Sequence, residues 1–295
     1  MKKKTKSKIE FNLFKAFYNL NKKLPYVFVE KSIINLSKFA GNILKLRRNV
    51  AESNLKKIYP DKSRNERNKI ILKMYENLGR TAAETYFGDR EELLKKCDIR
   101  GFENISKALE KGNGAILATF HMGNWELAGI SIARKHKMGV VLKKQRNRYF
   151  NDFTNKLREN ENIVLIDKKN ALRPIIQLLK QNYVVSILMD QNAGKYGIQT
   201  NFLGLPSSTF VGTAKIAIKQ KCPIIPAIAY RNEKGENIFV VEPPIDTTKF
   251  SNNLQDVKAL TELVSEKLEK YIHEHPADWF WVHKRWKGAK KAKIV

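Results

Sequence analysis

From about residue 99 the chain settles into an alternation that leaves few folds open to it. Short apolar runs fall at 114–120, 139–143, 162–167, 183–189, 223–230 and 237–242. Helical patterns fill 124–136, 149–160, 170–181 and 211–220, and a last helix covers about 253–274. Apolar runs of strand length separated by helices imply βαβ units, which wind into a mostly parallel sheet. The last two runs are separated only by Arg231-Asn232-Glu233-Lys234-Gly235-Glu236, a hairpin signal, so one edge of the sheet is expected to be antiparallel. The fold class that follows is α/β, a mostly parallel central sheet flanked by helices, with an N-terminal helical extension.

That extension covers residues 9 to about 88. Phe11, Phe14, Tyr18 and Leu24 alternate with lysines. Ile33, Ile34, Leu36, Phe39, Ala40, Ile43 and Leu44 form a broad apolar face at helical spacing. Such a face suits packing against a core, and between basic flanks it also suits an interfacial helix. Asp61-Lys62-Ser63-Arg64 is a start signal for a further helix to about Phe87. The expected division is 1–98 as a helical, membrane-associating region and 99–295 as the α/β domain, the two forming one continuous unit. No run reaches the roughly 18 apolar residues of a membrane span. The basic start, Lys2 to Lys8, is broken after Ile9 by Glu10, Asn12 and Lys15, so no signal peptide follows it. A cytoplasmic chain with peripheral membrane contact is expected.

The formal net charge is +27. A field of that size attracts nucleic acid, anionic head groups or an acidic protein, although part of it is a lysine-biased solvated face. Cys97 and Cys222 form no CxxC pair and suggest free thiols in a reducing compartment. The five histidines lack zinc-type spacing, so neither a metal nor a cofactor is expected.

Chemistry concentrates at His121-Met122-Gly123-Asn124-Trp125-Glu126, directly after the run ending at Phe120. On a helix, positions i and i+5 lie about 140° apart and could not meet. With His121 in a turn and Glu126 on the first helical turn they can, and the imidazole then stands at the carboxyl edge of the sheet, where α/β folds place ligands. A surface ion pair is the plainer reading of a His near a Glu. Asp190-Gln191 ends another apolar run on the same expected edge. From Asp190 to Val211 the chain runs about twenty residues between strand and helix, and connections that long are usually functional. It contains Gly204, while Ser207, Ser208, Thr209 and Gly212 precede a helix start suited to an anion; an ordinary cap and surface excursion is the alternative. The tail, Trp279-Phe280-Trp281-Val282-His283-Lys284-Arg285-Trp286, is expected to bury its aromatics and to leave Lys284 and Arg285 outside.

In this order, the segment 47–60 (RRNVAESNLKKIYP), HMGNWE, the DQN at 190–192, FLGLPSST with Gly212, the EPP at 242–244 and WVHKRWK resemble the lipid A biosynthesis (lauroyl/myristoyl-type) acyltransferase family over nearly the whole chain. Each is weak alone; six in order are strong. The N-terminus departs from the family, whose members usually carry a clear hydrophobic anchor there. The resemblance implies transfer of an acyl chain from acyl carrier protein to a hydroxyl of a lipid A precursor at the cytoplasmic face of the bacterial inner membrane. Its implied partners are acyl carrier protein, an anionic lipid acceptor and the membrane surface, with no nucleic acid. Arg158 matches a family active-site arginine, and Arg146 is a weaker match. The expected roles are His121 as general base, Glu126 as its orienting acid and Arg158 as a charge stabiliser. Asp190, Gln191, Gly204, Thr209, Gly212 and Trp125 are expected to bind substrate, Asp190 in a positioning role. Phe202, Leu203, Leu205 and Phe210 are expected to wall the acyl groove. The alternatives are the same chemistry on a lysophospholipid or another glycolipid, and a non-catalytic basic nucleic-acid-binding protein. Against the last, no zinc-finger, RRM or KH motif is present.

Overall fold

The computed structural model describes residues 3–159 and 162–289. Lys2 of the basic start and residue 160 of the expected 149–160 helix lie outside the described residues. Four helices open the chain: α1 (Lys3–Asn21), α2 (Tyr26–Asn42), α3 (Arg48–Ile58) and α4 (Arg64–Phe87). The expected start at Ser63 is a capping box: Ser63 Oγ accepts from Glu66 N at 3.2 Å, and Glu66 Oε2 accepts from Ser63 N at 2.7 Å. A short α5 (Arg90–Lys95) leads into the sheet.

The sheet region runs β1 (Asp98–Arg100), α6 (Glu103–Leu109), β2 (Ala115–Thr119), α7 (Trp125–Ala133), β3 (Met138–Leu142), α8 (Arg148–Glu159), β4 (Ile163–Asp167), α9 (Leu172–Lys180), β5 (Val184–Leu188), β6 (Ile198–Phe202), β7 (Leu205–Thr209), α10 (Gly212–Gln220), β8 (Ile224–Arg231), β9 (Asn237–Val241) and α11 (Leu254–Glu274). Seven strands pair in the order β1-β9-β8-β2-β5-β3-β4. All neighbours are parallel except β8 and β9, which form the expected hairpin. That hairpin does not end the sheet, because β1 adds beyond β9, parallel to it. Three residues long and charged at both ends, β1 gives no apolar run to read.

Both faces are covered, as a parallel sheet requires. On one side Ile116, Ala118, Val185 and Ile224 pack with Leu55, Ile71 and Met74 of the N-terminal helices, with Leu260 and Leu268 of α11 and with the tail tryptophans. On the other, Leu117, Val184 and Ile225 meet Ile105, Ala108, Ile132 and Ala133. Helix α2 is two-faced. Val29 and Ile33 pack against Ala83 of α4, while Phe28, Leu36 and Phe39 are exposed.

Two expectations are corrected. The 190–211 connection is not a free excursion: β6 and β7 form an antiparallel hairpin inside it. Its turn residues Leu203 and Gly204 both have positive φ, 49° and 75°, the backbone of a two-residue type I′ turn. The hairpin is fastened to α11, where Glu262 accepts from Asn201 N at 2.9 Å and Glu269 from Leu203 N at 2.8 Å. In the tail, Trp279, Trp281 and Trp286 are buried as expected, but so is Arg285. Its guanidinium donates to Ser208 O at 2.7 Å and Thr209 Oγ1 at 2.6 Å and lies 4.3 Å from the Phe202 ring centroid. Burial pushes its pKa down to about 10.

Candidate active site

Strand register builds the site. β2 and β5 are parallel neighbours, with Thr119 opposite Leu188. His121 and Asp190 each lie two residues beyond that pair, so the two side chains emerge side by side at the carboxyl edge. His121 Nδ1 is 2.8 Å from Asp190 Oδ1, and His121 N donates to Asp190 Oδ2 at 2.9 Å. Trp279 Nε1 donates to the same Oδ2 at 2.9 Å. The tail also pairs with the histidine turn through Phe280 N to His121 O at 3.1 Å and Gly123 N to Asp278 O at 3.1 Å.

The electrostatics follow from this contact. Burial alone would lower the His121 pKa, but the Asp190 charge and hydrogen bond outweigh it and hold it above the ordinary value. Burial alone would raise Asp190; the imidazole beside it, together with the His121 and Trp279 N–H donors, keeps it below the usual carboxylate range. With Nδ1 donating to Asp190, Nε2 keeps a lone pair. The Gln191 amide nitrogen stands 3.4 Å from that Nε2.

The expectation that Glu126 orients His121 is corrected. Glu126, on the first turn of α7, faces α8, where Arg158 donates through Nε to Oε2 at 2.9 Å and through Nη2 to Oε1 at 2.6 Å. A two-bond fork of this kind is the strong form of a carboxylate–guanidinium contact. Glu126 reaches His121 only as a more distant charge that supports the protonated imidazole. The motif's His and acid therefore share a cavity wall without touching.

That wall belongs to a cavity of about 580 Å³ containing His121, Trp125, Glu126, Arg158, Gln191 and Gly212. The volume lies within the ~300–1,000 Å³ typical of small-ligand sites. The lining beyond the polar end is aliphatic, including Val140, Val141, Leu172, Ile175, Ile187 and Ile216. Trp125 stands beside the imidazole, ring centroids 5.3 Å apart. α10 begins at the cavity with Gly212, and no side chain among the described residues caps it.

Sequence reasoning missed two lining cations. Lys143 and Lys168 have no carboxylate partner among the described residues. Lys168 lies 4.4 Å over the Phe210 ring, and burial and then the Lys143 charge lower its pKa. The pair Lys168-Lys169 directly after the fourth strand was the available signal.

Several expected substrate residues are elsewhere. Gly204 is at the β6–β7 turn and Thr209 is buried between Thr200 Oγ1, 2.6 Å away, and Arg285; neither lines the cavity. Phe202 and Leu203 belong to the core, and of the expected groove residues only Phe210 reaches the cavity. Asp190 lies behind the imidazole, 3% exposed. Cys97 and Cys222 are pushed up to about 12 by burial, which suits neither to nucleophilic work. Asn124 caps α7 at Leu127 N, 3.0 Å, and donates to Glu84 at 2.7 Å. Glu84 is itself forked by the buried Arg231, both bonds 2.8 Å. The histidine turn is thus braced from α4 and from β8.

An expected result tests the pairing. With His121 as a base that works in its neutral form, the acidic limb of kcat/KM should lie above the ordinary histidine value of about 6.5, because Asp190 favours the charged form. In Asp190→Asn the limb should move toward lower pH by about one unit or more while the plateau falls. A limb unmoved in pH–rate profiles of the variant would remove Asp190 from this role.

The family described as Bacterial lipid A biosynthesis acyltransferase matches residues 2–288. The phosphatidylinositol mannoside acyltransferase of Mycobacterium tuberculosis (strain ATCC 25618 / H37Rv) is 27% identical over 209 residues, 67% of this chain and 63% of that protein. The match thus spans less than two thirds of the mycobacterial relative. The lipid A biosynthesis lauroyltransferase of Escherichia coli (strain K12) is 24% identical over 275 residues, 90% of this chain and 87% of that one. The palmitoleoyltransferase of the same strain is 24% identical over 271 residues, with 90% and 86% covered. With the family match running from the first helix to the tail, the chain belongs to the bacterial lipid A biosynthesis acyltransferase family.

Proposed function

We propose that this protein transfers a fatty acyl chain from an acyl carrier protein thioester to a hydroxyl of an anionic glycolipid of the lipid A precursor class. The observation that carries the reading is the His121–Asp190 contact of 2.8 Å at the polar end of an aliphatic cavity. His121 Nε2 takes the acceptor hydroxyl proton as the oxygen attacks the thioester carbonyl carbon. Asp190 holds the ring and balances the imidazolium, as the acid does in a Ser-His-Asp triad. The tetrahedral intermediate collapses with cleavage of the C–S bond, and the leaving thiolate takes the proton back. The products are an ester and a free thiol, and no covalent acyl-enzyme is needed. Arg158, fixed by Glu126, together with the α10 N-terminus, is placed to stabilise the oxyanion. Lys143 and Lys168 suit a phosphate of either substrate.

The acyl chain occupies the aliphatic lining, with Trp125 shaping its inner end. The proposed place of action is the cytoplasmic face of the bacterial inner membrane. Among the described residues no helix is long and apolar enough to cross a membrane. Attachment instead uses the outer faces of the 1–98 region. Along α1, Ile9, Leu13, Phe17 and Leu20 are exposed, while Phe11 and Phe14 on its other side pack edge-on or tilted against Phe150 and Phe153 of α8. A mannoside-type glycolipid acceptor is the second reading, favoured by the 27% identity with the mycobacterial protein.

The purified protein should acylate a lipid A precursor from acyl carrier protein thioesters, with mass spectrometry showing one added chain per acceptor. Transfer to a lysophospholipid or a phosphatidylinositol mannoside in preference would move the acceptor. No transfer to any of the three would remove the reading.

A further inference from the structure

A second cleft, about 1030 Å³, lies between the C-terminal end of α2, α3 and the start of α4. It shares no lining residue with the catalytic cavity. Lys45, Arg48, Lys56, Arg64 and Arg67 line it against a single carboxylate, Glu52. Two of the cations form a fixed floor. Arg48 is pinned by Asn42 at 2.7 Å, by Glu52 at 3.0 Å and by Asn68. Arg67 donates to the Tyr59 carbonyl at 3.2 Å and to that of Lys62. The other three, Lys45, Lys56 and Arg64, are exposed and have no carboxylate partner among the described residues.

What borders the cleft points to its occupant. Phe28, Leu36, Phe39 and Ile43 are all exposed and fall within about 80° of one another on a helix of 100° per residue. They form an apolar stripe along α2, beside the Val29–Ile33 face that packs on α4, and it runs to the mouth of the cleft. There Leu44 and Leu46, each 57% exposed, flank Lys45. Lys45 and Arg47 both hold left-handed backbone, φ 49° and 59°. Residues other than glycine keep that conformation only when their surroundings enforce it, and such positions gather at functional sites. Leu46 N to Ala40 O at 3.0 Å and the Tyr75 hydroxyl on the Leu46 carbonyl enforce it here.

We propose that this cleft docks the phosphate-bearing head group of an anionic membrane lipid, while the α2 stripe and Leu44 and Leu46 enter the acyl layer beside it. Resting on the membrane reading above, this adds a second lipid site that performs no chemistry and orients the protein on the bilayer. An apolar stripe continuous with a basic cleft matches a lipid, apolar below and anionic at the surface. An acidic protein would call for the charge but would leave the stripe uncovered.

The test is vesicle co-sedimentation of the full chain and of the double variant Lys56→Glu/Arg64→Glu, whose exposed side chains hold no internal bond. Wild type should bind phosphatidylcholine vesicles containing phosphatidylglycerol more tightly than phosphatidylcholine alone. The variant should lose about tenfold or more of that preference. It should bind neutral vesicles as wild type does and keep wild-type turnover on detergent-dispersed substrates. An unchanged anionic preference overturns the proposal. So does unchanged vesicle binding with a raised KM for acyl carrier protein, which would make the cleft a dock for an acidic protein. Displacement from anionic vesicles by millimolar inorganic phosphate, at constant ionic strength, would assign the cleft to the free ion and overturn it as well. Absence of wild-type turnover in detergent would instead count against the proposed acyl transfer, leaving the vesicle comparison intact.

Discussion

His121→Ala is expected to lower kcat for acyl transfer by about 10²–10⁴-fold, the range usual for loss of a general base. The fold should survive at some cost in stability, because Asp190 Oδ1 loses its imidazole partner while Oδ2 stays held. Asp190 would keep two donors, the His121 backbone N–H at 2.9 Å and Trp279 Nε1 at 2.9 Å. Single-turnover kinetics with a defined acyl donor would read the effect, and a thermal melt would confirm that folding is preserved. Near-normal turnover in a well-folded variant would rule out His121 as the base. The Glu126→Gln variant separates the two acids further. Because Glu126 braces Arg158 rather than the imidazole, its loss should lower kcat with little movement of the acidic limb, whereas Asp190→Asn moves that limb.

Glu84→Ala is expected to cost about 3–5 kcal/mol of stability, the range for removing one partner of a buried pair. Glu84 is 6% exposed and Arg231 4%. Without the carboxylate, Arg231 would keep only Thr81 Oγ1 at 3.1 Å and the Gly235 carbonyl at 3.2 Å, with its Nε already lacking a partner. Asn124 and Asn237 would lose an acceptor at the same time. Urea denaturation should show a lowered midpoint at unchanged slope. Activity should fall too, since Asn124 sets the start of α7 within the histidine turn. A loss below about 1 kcal/mol, the level of an exposed pair, would show that the network is not the brace it resembles. Glu84→Gln keeps an acceptor for Asn124 and should be the milder change.

How much of this was legible follows from which relations are local. The six apolar runs became strands because burial on both faces demands unbroken apolar stretches. His121 and Asp190-Gln191 fall on one expected edge because each directly follows such a run. Ser63 announced α4 through a contact three residues long. The partner of His121 depended instead on strand order. Only when β5 lies beside β2, at the observed register, does Asp190 come level with the imidazole, and no periodicity encodes which strands are neighbours. Spacing favoured Glu126, five residues away, while the contact spans 69 residues. Arg158 and Glu126, 32 residues apart, escaped as a pair for the same reason. The hairpin in the long connection was hidden by its Gly-rich composition, and Phe202 and Leu203 were misplaced because an apolar residue in an apparent loop suggests a ligand wall until the tail tryptophans cover it. Arg285 was expected outside because burying a guanidinium is costly; two backbone and hydroxyl acceptors and an aromatic face offset that cost.

The tryptophan clamp on Asp190 has a consequence for how the protein comes into being. Trp279 follows every strand of the sheet in the chain, yet its indole N–H secures the carboxylate behind the imidazole, and the residues around it pair with the histidine turn. Until the tail is made, the histidine turn lacks its bonds to Trp279 and Phe280, and one face of the sheet lacks its tryptophan cover. The His121–Asp190 contact itself joins the ends of β2 and β5, and the tail adds the second donor to Oδ2. A chain truncated before Trp279 is expected to leave Asp190 short of a donor and the sheet short of its tryptophan cover, so that the fold and the site are completed together by the last residues made.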